Sequence, residues 1–300
     1  MSTASARPEN WAETAAALQH IQDSQLFFLG GAPRSGTTWL QQMLDAHPDA
    51  SCHGEGLFAK LLYPLLDAYL GRWRAELSEK NQTVFTEMDG YPLPGEEERR
   101  FLAASTILLA LRRQSQGRRV LAYGEKTPEN VFFFAKLADL FPQAKLIAIA
   151  RDPRDVITSA WHFFHPSLNG PQAEAAKLAF IQRTVTSLAE GLRSVIAHEQ
   201  AFPGRCRHVT YERLSHAPEA ALGDLFRFLG LAATPEILAD CIRQTRFETV
   251  TGGRKAGDGQ DGTFLRKGIT GDWPSTLTPA MNDLVLESLG WAFPYFGWTP

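Results

Sequence analysis

The sequence has few cysteines and no apolar run long enough to cross a membrane. Its three cysteines are scattered, odd in number and without metal-ligand spacing, so we predict neither a disulfide framework nor a metal site (Cys52, Cys206 and Cys241). No apolar run reaches the ~18 residues of a membrane span, and the start of the chain lacks the basic and apolar regions of a signal peptide. We therefore expect a reduced, cytoplasmic protein that does not bind a membrane.

The chain also lacks an excess of positive charge. It has 30 lysines and arginines against 33 aspartates and glutamates, a net charge of −3, which argues against nucleic acid as a partner and against a broad membrane-binding face. Any anionic ligand must therefore be held by locally placed basic groups. Hydrophobic residues make up 44% of the chain, which is enough for a substantial core.

Short apolar segments of β character alternate with helical segments along the chain. The pattern predicts strands over 25–29, 50–52, 119–124, 144–150 and 205–211, and helices over 37–46, 171–201 and 218–230. Such alternation is typical of an α/β fold in which helices flank a central parallel sheet. We expect one domain over 1–300, with an N-terminal extension over 1–24, a loop over 86–99 and a mobile loop over 251–265 near the active site.

A glycine-rich turn, GGAPRSGTT at 30–38, follows the first predicted strand. Gly31 and Gly36 have the spacing of a phosphate-binding P-loop, but Thr37 stands where such a loop carries its lysine. A turn of this kind aims backbone N–H groups and a helix N-terminus at an anion, and Arg34, Ser35, Thr37 and Thr38 add side-chain donors. The alternative is an ordinary glycine turn that caps a helix. Anion binding and a P-loop-type, three-layer fold are favoured.

Two further segments place basic groups beside hydroxyl or backbone donors. Arg151 ends an apolar run and Ser159 follows it inside a predicted helix, a suitable pair for a phosphate monoester. The alternative pairs Arg151 with Asp152 or Asp155 on the surface. In FLRKGITGDW at 264–273, two cations precede a glycine (Arg266, Lys267 and Gly268). The alternative for this segment is a solvated basic turn.

Together these segments resemble the PAPS-dependent sulfotransferases, from about residue 26 to residue 273. GAPRSGTTW looks like the family's 5′-phosphosulfate loop, RDPRDVITS like its 3′-phosphate segment, and FLRKGITGDW like its closing loop. The resemblance implies PAPS as donor, PAP as product, no metal, and adenine contacts from VTYERL, QTRF and the tryptophan of the first loop (Tyr211, Thr245, Phe247 and Trp39). It also accounts for Thr37, because a monoanionic sulfuryl group develops less charge than a γ-phosphate and needs no Walker lysine.

The sequence departs from the cytosolic members of the family at the catalytic base. Cytosolic sulfotransferases carry Lys-Thr-His, whereas this chain has Lys126 and Thr127 followed by Pro128, so that histidine is absent. MLDAHPDASCHGEG at 43–56 is similar to the tyrosylprotein sulfotransferases, which implies Glu55 as the base; its alternative is a helix-capping acid. His53 is the second choice.

Lys126 has a role by the same resemblance, since its ammonium would stabilise charge on the bridging and leaving oxygens. Glu125 adjoins Lys126 and could orient it or pair with it. The sequence therefore predicts a sulfotransferase that acts on a small-molecule or conjugated hydroxyl acceptor. The alternatives are a divergent P-loop kinase or NTPase and a catalytically inactive nucleotide-binding protein. Dimers are common in the family, so a homodimer stays open.

Overall fold

The computed structural model describes residues 11–168, 170–263 and 265–300, and a five-stranded parallel sheet forms its centre. The strands are β1 (Gln25–Gly31), β2 (Ala50–Gly54), β3 (Ala122–Lys126), β4 (Lys145–Ala150) and β5 (Cys206–Thr210), in the spatial order β2-β3-β1-β4-β5. All four pairings are parallel. The prediction of a parallel α/β sheet is confirmed.

Helices connect the strands and cover both faces of the sheet. They are α1 (Trp11–Asp23), α2 (Thr37–Asp45), a π-helix (Phe58–Leu62), α3 (Tyr63–Thr83), α4 (Glu96–Gln114), α5 (Asn130–Leu140), α6 (Pro153–Phe164), α7 (Pro171–Ala201), α8 (Tyr211–His216), α9 (Pro218–Phe228), α10 (Pro235–Gln244), α11 (Phe247–Val250), α12 (Pro279–Leu289) and α13 (Phe293–Phe296). No helix within the described residues is long and apolar enough to cross a membrane.

The apolar character of β1 explains the three layers. Leu26 and Phe28 point into a core cluster with α4, α5, α7 and α12, while Phe27 and Leu29 point into a second cluster with α2, α9 and α10. Because the side chains of a strand alternate between faces, a strand that is apolar at every position needs cover on both sides. Because all five strands are parallel, their carboxyl ends lie at the same edge of the sheet. Ligands bind at this edge in such sheets.

Two strands extend further than the apolar pattern predicts. The strand expected over 119–124 is β3, which begins at Ala122 and continues through Glu125 and Lys126, and the strand expected over 50–52 runs on to Gly54. The additional residues pair in register, His53 with Glu125 and Gly54 with Lys126. At the end of β3 the added residues are buried charges, Glu125 and Lys126, which a hydrophobic pattern does not register. At the end of β2 they are the partly exposed His53 and Gly54.

The predicted loop at 86–99 is wrong at its end, since α4 begins at Glu96. The carboxylate of Glu98 accepts a hydrogen bond from the Gly95 backbone N–H at 2.7 Å. Three consecutive glutamates occupy the first turn of α4, where the helix dipole favours negative charge. The charge run that suggested a loop is therefore the start of a helix.

The predicted loop over 251–265 forms neither helix nor strand at its described positions, and Phe264 lies outside the described residues. Its backbone contacts the segments on either side: Gly257 N–H donates to the carbonyl of Lys267 at 2.8 Å, and Gly262 N–H donates to that of His162 at 3.0 Å. Within the predicted extension over 1–24, residues 1–10 also lie outside the description, and α1 packs through Ile21 into the core.

Candidate active site

A cavity of about 600 Å³ opens at the carboxyl edge of the sheet. It brings together the loops that follow β1, β2 and β4, the start of α8 and the segment before residue 270. Most of the residues predicted for the site line it: Arg34, Gly36, Thr37, Thr38, Trp39, Glu55, Arg151, Ser159, Tyr211, Thr245, Phe247, Arg266, Lys267 and Gly268. Ser35, His53 and Lys126 are not among the lining residues.

The glycine-rich turn between β1 and α2 requires glycine at Gly36. This residue has φ +96°, and a Cβ atom there would lie 2.6 Å from Cδ2 of Tyr211. Glycine adopts positive φ without steric cost, which no other residue does. Ser35, in contrast, is fully buried and donates its hydroxyl to the carbonyl of Ala32 at 2.6 Å. Its side chain closes the turn and does not line the cavity.

Three arginines from different segments face one another across the cavity. Burial, followed by the positive charges of Arg151 and Arg266, lowers the pKa of Arg34 to about 10. The Nε of Arg34 lies 3.4 Å from the hydroxyl of Ser159, and its guanidinium lies 4.6 Å from the ring centre of Phe163. Arg34 thus joins the glycine loop to the predicted phosphate segment of α6. A cluster of like charges that is partly removed from water is suited to a polyanionic ligand.

Arg151 is fixed by backbone carbonyls from two segments. It donates to the carbonyls of Arg34 at 3.3 Å and Ile269 at 2.8 Å, and its guanidinium lies 4.2 Å from the ring centre of Tyr211. Arg151 does pair with Asp155 at 3.6 Å, but the side chains are only 9% and 1% exposed, so the expectation that such a pair lies on the surface is wrong. These contacts orient the arginine before any ligand binds.

Asp155 has a role that sequence reasoning missed. Its carboxylate accepts the backbone N–H groups of Gly271 at 2.7 Å and Trp273 at 3.1 Å. Asp155 therefore attaches the predicted closing loop to the first turn of α6. The only signal in the sequence is the position of this acid, four residues after Arg151. That spacing is also typical of a surface ion pair, so the role of Asp155 in holding the loop was not predicted.

The closing loop is not a solvated basic turn. Arg266 and Lys267 both donate to the carboxylate of Asp272, Lys267 at 2.8 Å. Burial acts to raise the pKa of Asp272, but the hydrogen bonds from Lys267 and Arg266 outweigh it and hold that pKa below its usual range. One acid therefore sets the positions of two cations that line the cavity.

Aromatic side chains form the far end of the cavity. The indole of Trp39 donates to the carbonyl of Thr245 at 3.0 Å, and its ring centre lies 5.3 Å from that of Tyr211. Thr245 directly follows α10, and its hydroxyl donates to the carbonyl of Cys241 in the last turn of that helix at 2.8 Å. Phe247 packs on Gly268, where a Cβ atom would lie 2.4 Å from the ring. The residues predicted to hold adenine are thus neighbours.

Glu55 and Lys126 form an ion pair where β2 and β3 end. The Nζ of Lys126 donates to Oε1 of Glu55 at 2.7 Å, and the side chains are 5% and 44% exposed. Gly54 permits this arrangement, because a Cβ atom there would lie 2.7 Å from Cε of Lys126. The carboxylate lines the cavity, and the ammonium behind it is buried.

His53, the second candidate for the base, points elsewhere. Its Nε2 lies 3.6 Å from a carboxylate oxygen of Asp45 on α2. Glu125 takes its hydrogen bonds from Gly56, Thr127 and Asn130 rather than from Lys126. Within the described ranges, no group of three or more His, Cys, Asp or Glu side chains could hold a metal ion.

Curated relatives are protein-tyrosine sulfotransferases at modest identity. A candidate protein-tyrosine sulfotransferase of Caenorhabditis briggsae is 28% identical over 217 residues, which are 71% of this chain and 68% of that protein. Protein-tyrosine sulfotransferase 1 of Danio rerio is 26% identical over 225 residues, 72% of this chain and 56% of that protein. The chain therefore spans about half to two thirds of the length of these relatives.

Solved sulfotransferases share the fold. A mouse sulfotransferase complexed with PAP superposes with a TM-score of 0.56 at 17% identity, over 92% of this chain and 88% of that one. A sulfotransferase from Alicyclobacillus acidocaldarius gives 0.51 at 14% identity, over 91% and 96%. These likenesses confirm the predicted three-layer α/β fold.

The sequence profile of the Sulfotransferase family matches residues 27–235. This range is more than half of the chain, and it contains the glycine loop, the Glu55–Lys126 pair and the Arg151 segment. The match confirms the predicted family and does not favour a kinase or NTPase. The chain belongs to the sulfotransferase family.

Proposed function

We propose that the protein transfers the sulfuryl group of PAPS to a hydroxyl acceptor and releases PAP. The observation that carries this proposal is the position of Glu55 on the same cavity as three arginines, with the buried ammonium of Lys126 behind it at 2.7 Å. Transfer of a sulfuryl group needs a proton acceptor, a cation at the leaving oxygen and sites for the donor's phosphates. The cavity and the lysine behind Glu55 supply residues suited to each.

The reaction is a single in-line displacement. The acceptor oxygen forms a bond to sulfur while the bond from sulfur to the bridging oxygen of PAP breaks. The proton of the acceptor hydroxyl passes to the exposed carboxylate of Glu55. Lys126, on the buried side of that carboxylate, stabilises the negative charge that the leaving oxygen gains.

The cations of the cavity divide between the two ends of the donor. The backbone N–H groups of the glycine loop, with Arg34, Thr37 and Thr38, would bind the 5′-phosphosulfate. Arg151 and Ser159, with Arg266 and Lys267, would bind the 3′-phosphate. A related fold is known in complex with PAP, which supports this assignment. Thr37 in place of a lysine suits a monoanionic sulfuryl group.

The acceptor would enter beside Glu55, where Phe163, Phe164 and Glu129 also line the cavity. Related folds hold apolar alcohols such as retinol and androsterone, and the curated relatives are named for protein tyrosine. Both are consistent with a small-molecule or conjugated hydroxyl. A cytoplasmic location, a single domain and a homodimer remain predictions.

Two measurements test the proposal. Calorimetric titration should show that PAP binds in the presence of EDTA and therefore without metal. ATP should show no comparable binding, either with or without Mg²⁺. Glu55→Gln should then abolish sulfuryl transfer and leave PAP affinity nearly unchanged, whereas Glu190→Gln, an exposed control on α7, should change neither. Binding of Mg·ATP alone would refute the donor assignment, and full activity of Glu55→Gln would remove Glu55 from the mechanism.

A further inference from the structure

Glu125 is a buried acid next to the site that the mechanism above does not use. It lies in β3 between Gly124 and Lys126 and is 2% exposed. Its Oε1 accepts hydrogen bonds from the backbone N–H of Gly56 at 2.7 Å and from the hydroxyl of Thr127 at 2.5 Å, and its Oε2 accepts one from Asn130 at 2.8 Å. Burial of a carboxylate is costly unless such partners are present.

The network suits an ionised carboxylate. Gly56 and the Asn130 amide can only donate here, and the Thr127 hydroxyl, whose oxygen accepts the backbone N–H of Leu57 at 3.2 Å, keeps its proton available for Glu125. An ionised Glu125 can accept all three bonds, whereas a protonated Glu125 could keep its contact with Thr127 only by reversing the direction of that bond. Burial raises the pKa of Glu125, while the hydrogen bonds from Thr127, Asn130 and Gly56 act in the opposite direction.

These bonds act on the residues that directly follow Glu55. Glu125 holds the N–H of Gly56, and through Thr127 it holds that of Leu57, so two consecutive peptide groups of the loop after β2 are attached to β3. Lys126, the next residue of β3, pairs with the Glu55 side chain itself. Adjacent residues of one strand therefore fix the backbone and the carboxylate of the proposed base.

We propose that Glu125 is a positioning residue for sulfuryl transfer, which holds the Gly56–Leu57 backbone so that Glu55 faces the cavity against Lys126. The inference rests on the proposed function. Glu125 touches neither cavity nor ligand, so its effect passes through Gly56. A displacement of about 1 Å in a reacting group lowers turnover by about 100-fold, which sets the expected effect on kcat.

The experiment compares Glu125→Gln with the wild-type chain by two independent measurements. A glutamine amide would face the donor groups of Asn130, so the network cannot keep all its bonds. Hydrogen–deuterium exchange should accelerate in the peptide that contains the amides of Gly56 and Leu57 and stay unchanged in the glycine loop. With PAPS and an acceptor found by screening, kcat should fall by about 100-fold, while the Kd for PAP stays unchanged.

Glu199→Gln is the matched control. Glu199 is also a largely buried acid that accepts a backbone N–H, from His208 at 2.7 Å, but it lies on α7 outside the cavity. Its replacement should lower stability without changing kcat. Should Glu125→Gln fail to fold, Thr127→Val removes the hydroxyl that joins Glu125 to Leu57, and Thr127→Ser, which keeps it, should retain kcat.

The outcomes separate the two proposals. Unchanged exchange at Gly56 and Leu57, or faster exchange with unchanged kcat, would overturn the positioning role. Loss of PAP binding in parallel with kcat would also overturn it, because that pattern is general destabilisation. A wild-type chain that binds PAP but never transfers a sulfuryl group would overturn the proposed function and the positioning role with it, even if the exchange data showed that Glu125 holds the loop.

Discussion

Lys126 donates to Glu55 over 2.7 Å, from a side chain that is almost fully buried to one that reaches the cavity. Lys126 ends β3, and Glu55 directly follows Gly54, the last residue of the neighbouring strand β2, which pairs with Lys126. The sheet therefore fixes the backbone of Lys126 and of the residue before Glu55. The lysine is thus held in place without being accessible to an acceptor.

Lys126→Met should therefore lose activity much more than binding. The buried ammonium is replaced by an apolar chain of similar length, so the charge on the leaving oxygen is no longer stabilised, and kcat should fall by about 10²–10³-fold. Steady-state kinetics with PAPS, beside calorimetry with PAP, checks this result. Lys145→Met is the control, since its Nζ donates to the carbonyl of Gly204 away from the cavity. Equal losses in kcat and PAP affinity would contradict the assigned role.

Gly36→Ala should damage the donor site by two separable effects. Positive φ alone costs an L-residue about 1–2 kcal/mol, and at Gly36 the new Cβ would also lie 2.6 Å from Tyr211. Gly230→Ala isolates the first effect, because Gly230 has φ +73° with nothing within 4 Å of its Cβ position. Urea unfolding should show a larger loss for Gly36→Ala, and only that variant should lose PAP binding. Equal behaviour of the two variants would mean that the contact with Tyr211 is relieved without cost.

The order of the elements could be predicted from the sequence because the core strands are apolar at nearly every position. β1 and β4 are buried on both faces, and their hydrophobic runs indicate this without ambiguity. β3 could be predicted only in part. Its last two residues are charged, and their burial depends on Glu55, Gly56 and Asn130, which are distant in sequence.

The motifs predicted which residues lie at the cavity. They did not predict which contacts each side chain makes. The motif names Ser35 and Thr245, yet both hydroxyls bond to nearby backbone carbonyls. Asp155 was missed as an organising group because an acid near an arginine looks like a surface ion pair, and Asp272 because its segment looks like a basic turn. Only the fold shows that each is buried and attaches a loop.

Arg151→Lys should weaken PAP binding although it conserves charge. The guanidinium donates to the carbonyls of Arg34 and Ile269 at once and lies on Tyr211, and a single ammonium cannot reproduce this planar geometry. We expect the Kd for PAP to rise by about 10–100-fold, the loss of one or two charge-assisted hydrogen bonds. Arg243→Lys, a replacement in an exposed pair with Asp240, should leave Kd unchanged. An equally tight Arg151→Lys variant would place the 3′-phosphate elsewhere.

Asp272 should make stability depend on pH at the acidic end. Its pKa in the folded chain lies below the usual 3.8, through the hydrogen bonds from Lys267 and Arg266 that outweigh burial. The unfolded chain therefore binds a proton at higher pH than the folded chain does. The stabilisation is complete above about pH 4 and is lost as the pH falls through the folded-state pKa.

Asp272→Asn should accordingly lower the free energy of unfolding at pH 7 by about 1–3 kcal/mol, since two cations lose a charged acceptor. The gap between wild type and variant should persist down to about pH 4 and narrow below it, where the wild-type carboxylate becomes protonated. Thermal unfolding of both chains between pH 7 and pH 3 measures this gap. Asp283→Asn, on the exposed side of α12, is the control and should show no gap. A gap of constant size at every pH would mean that shape rather than charge at Asp272 holds Arg266 and Lys267.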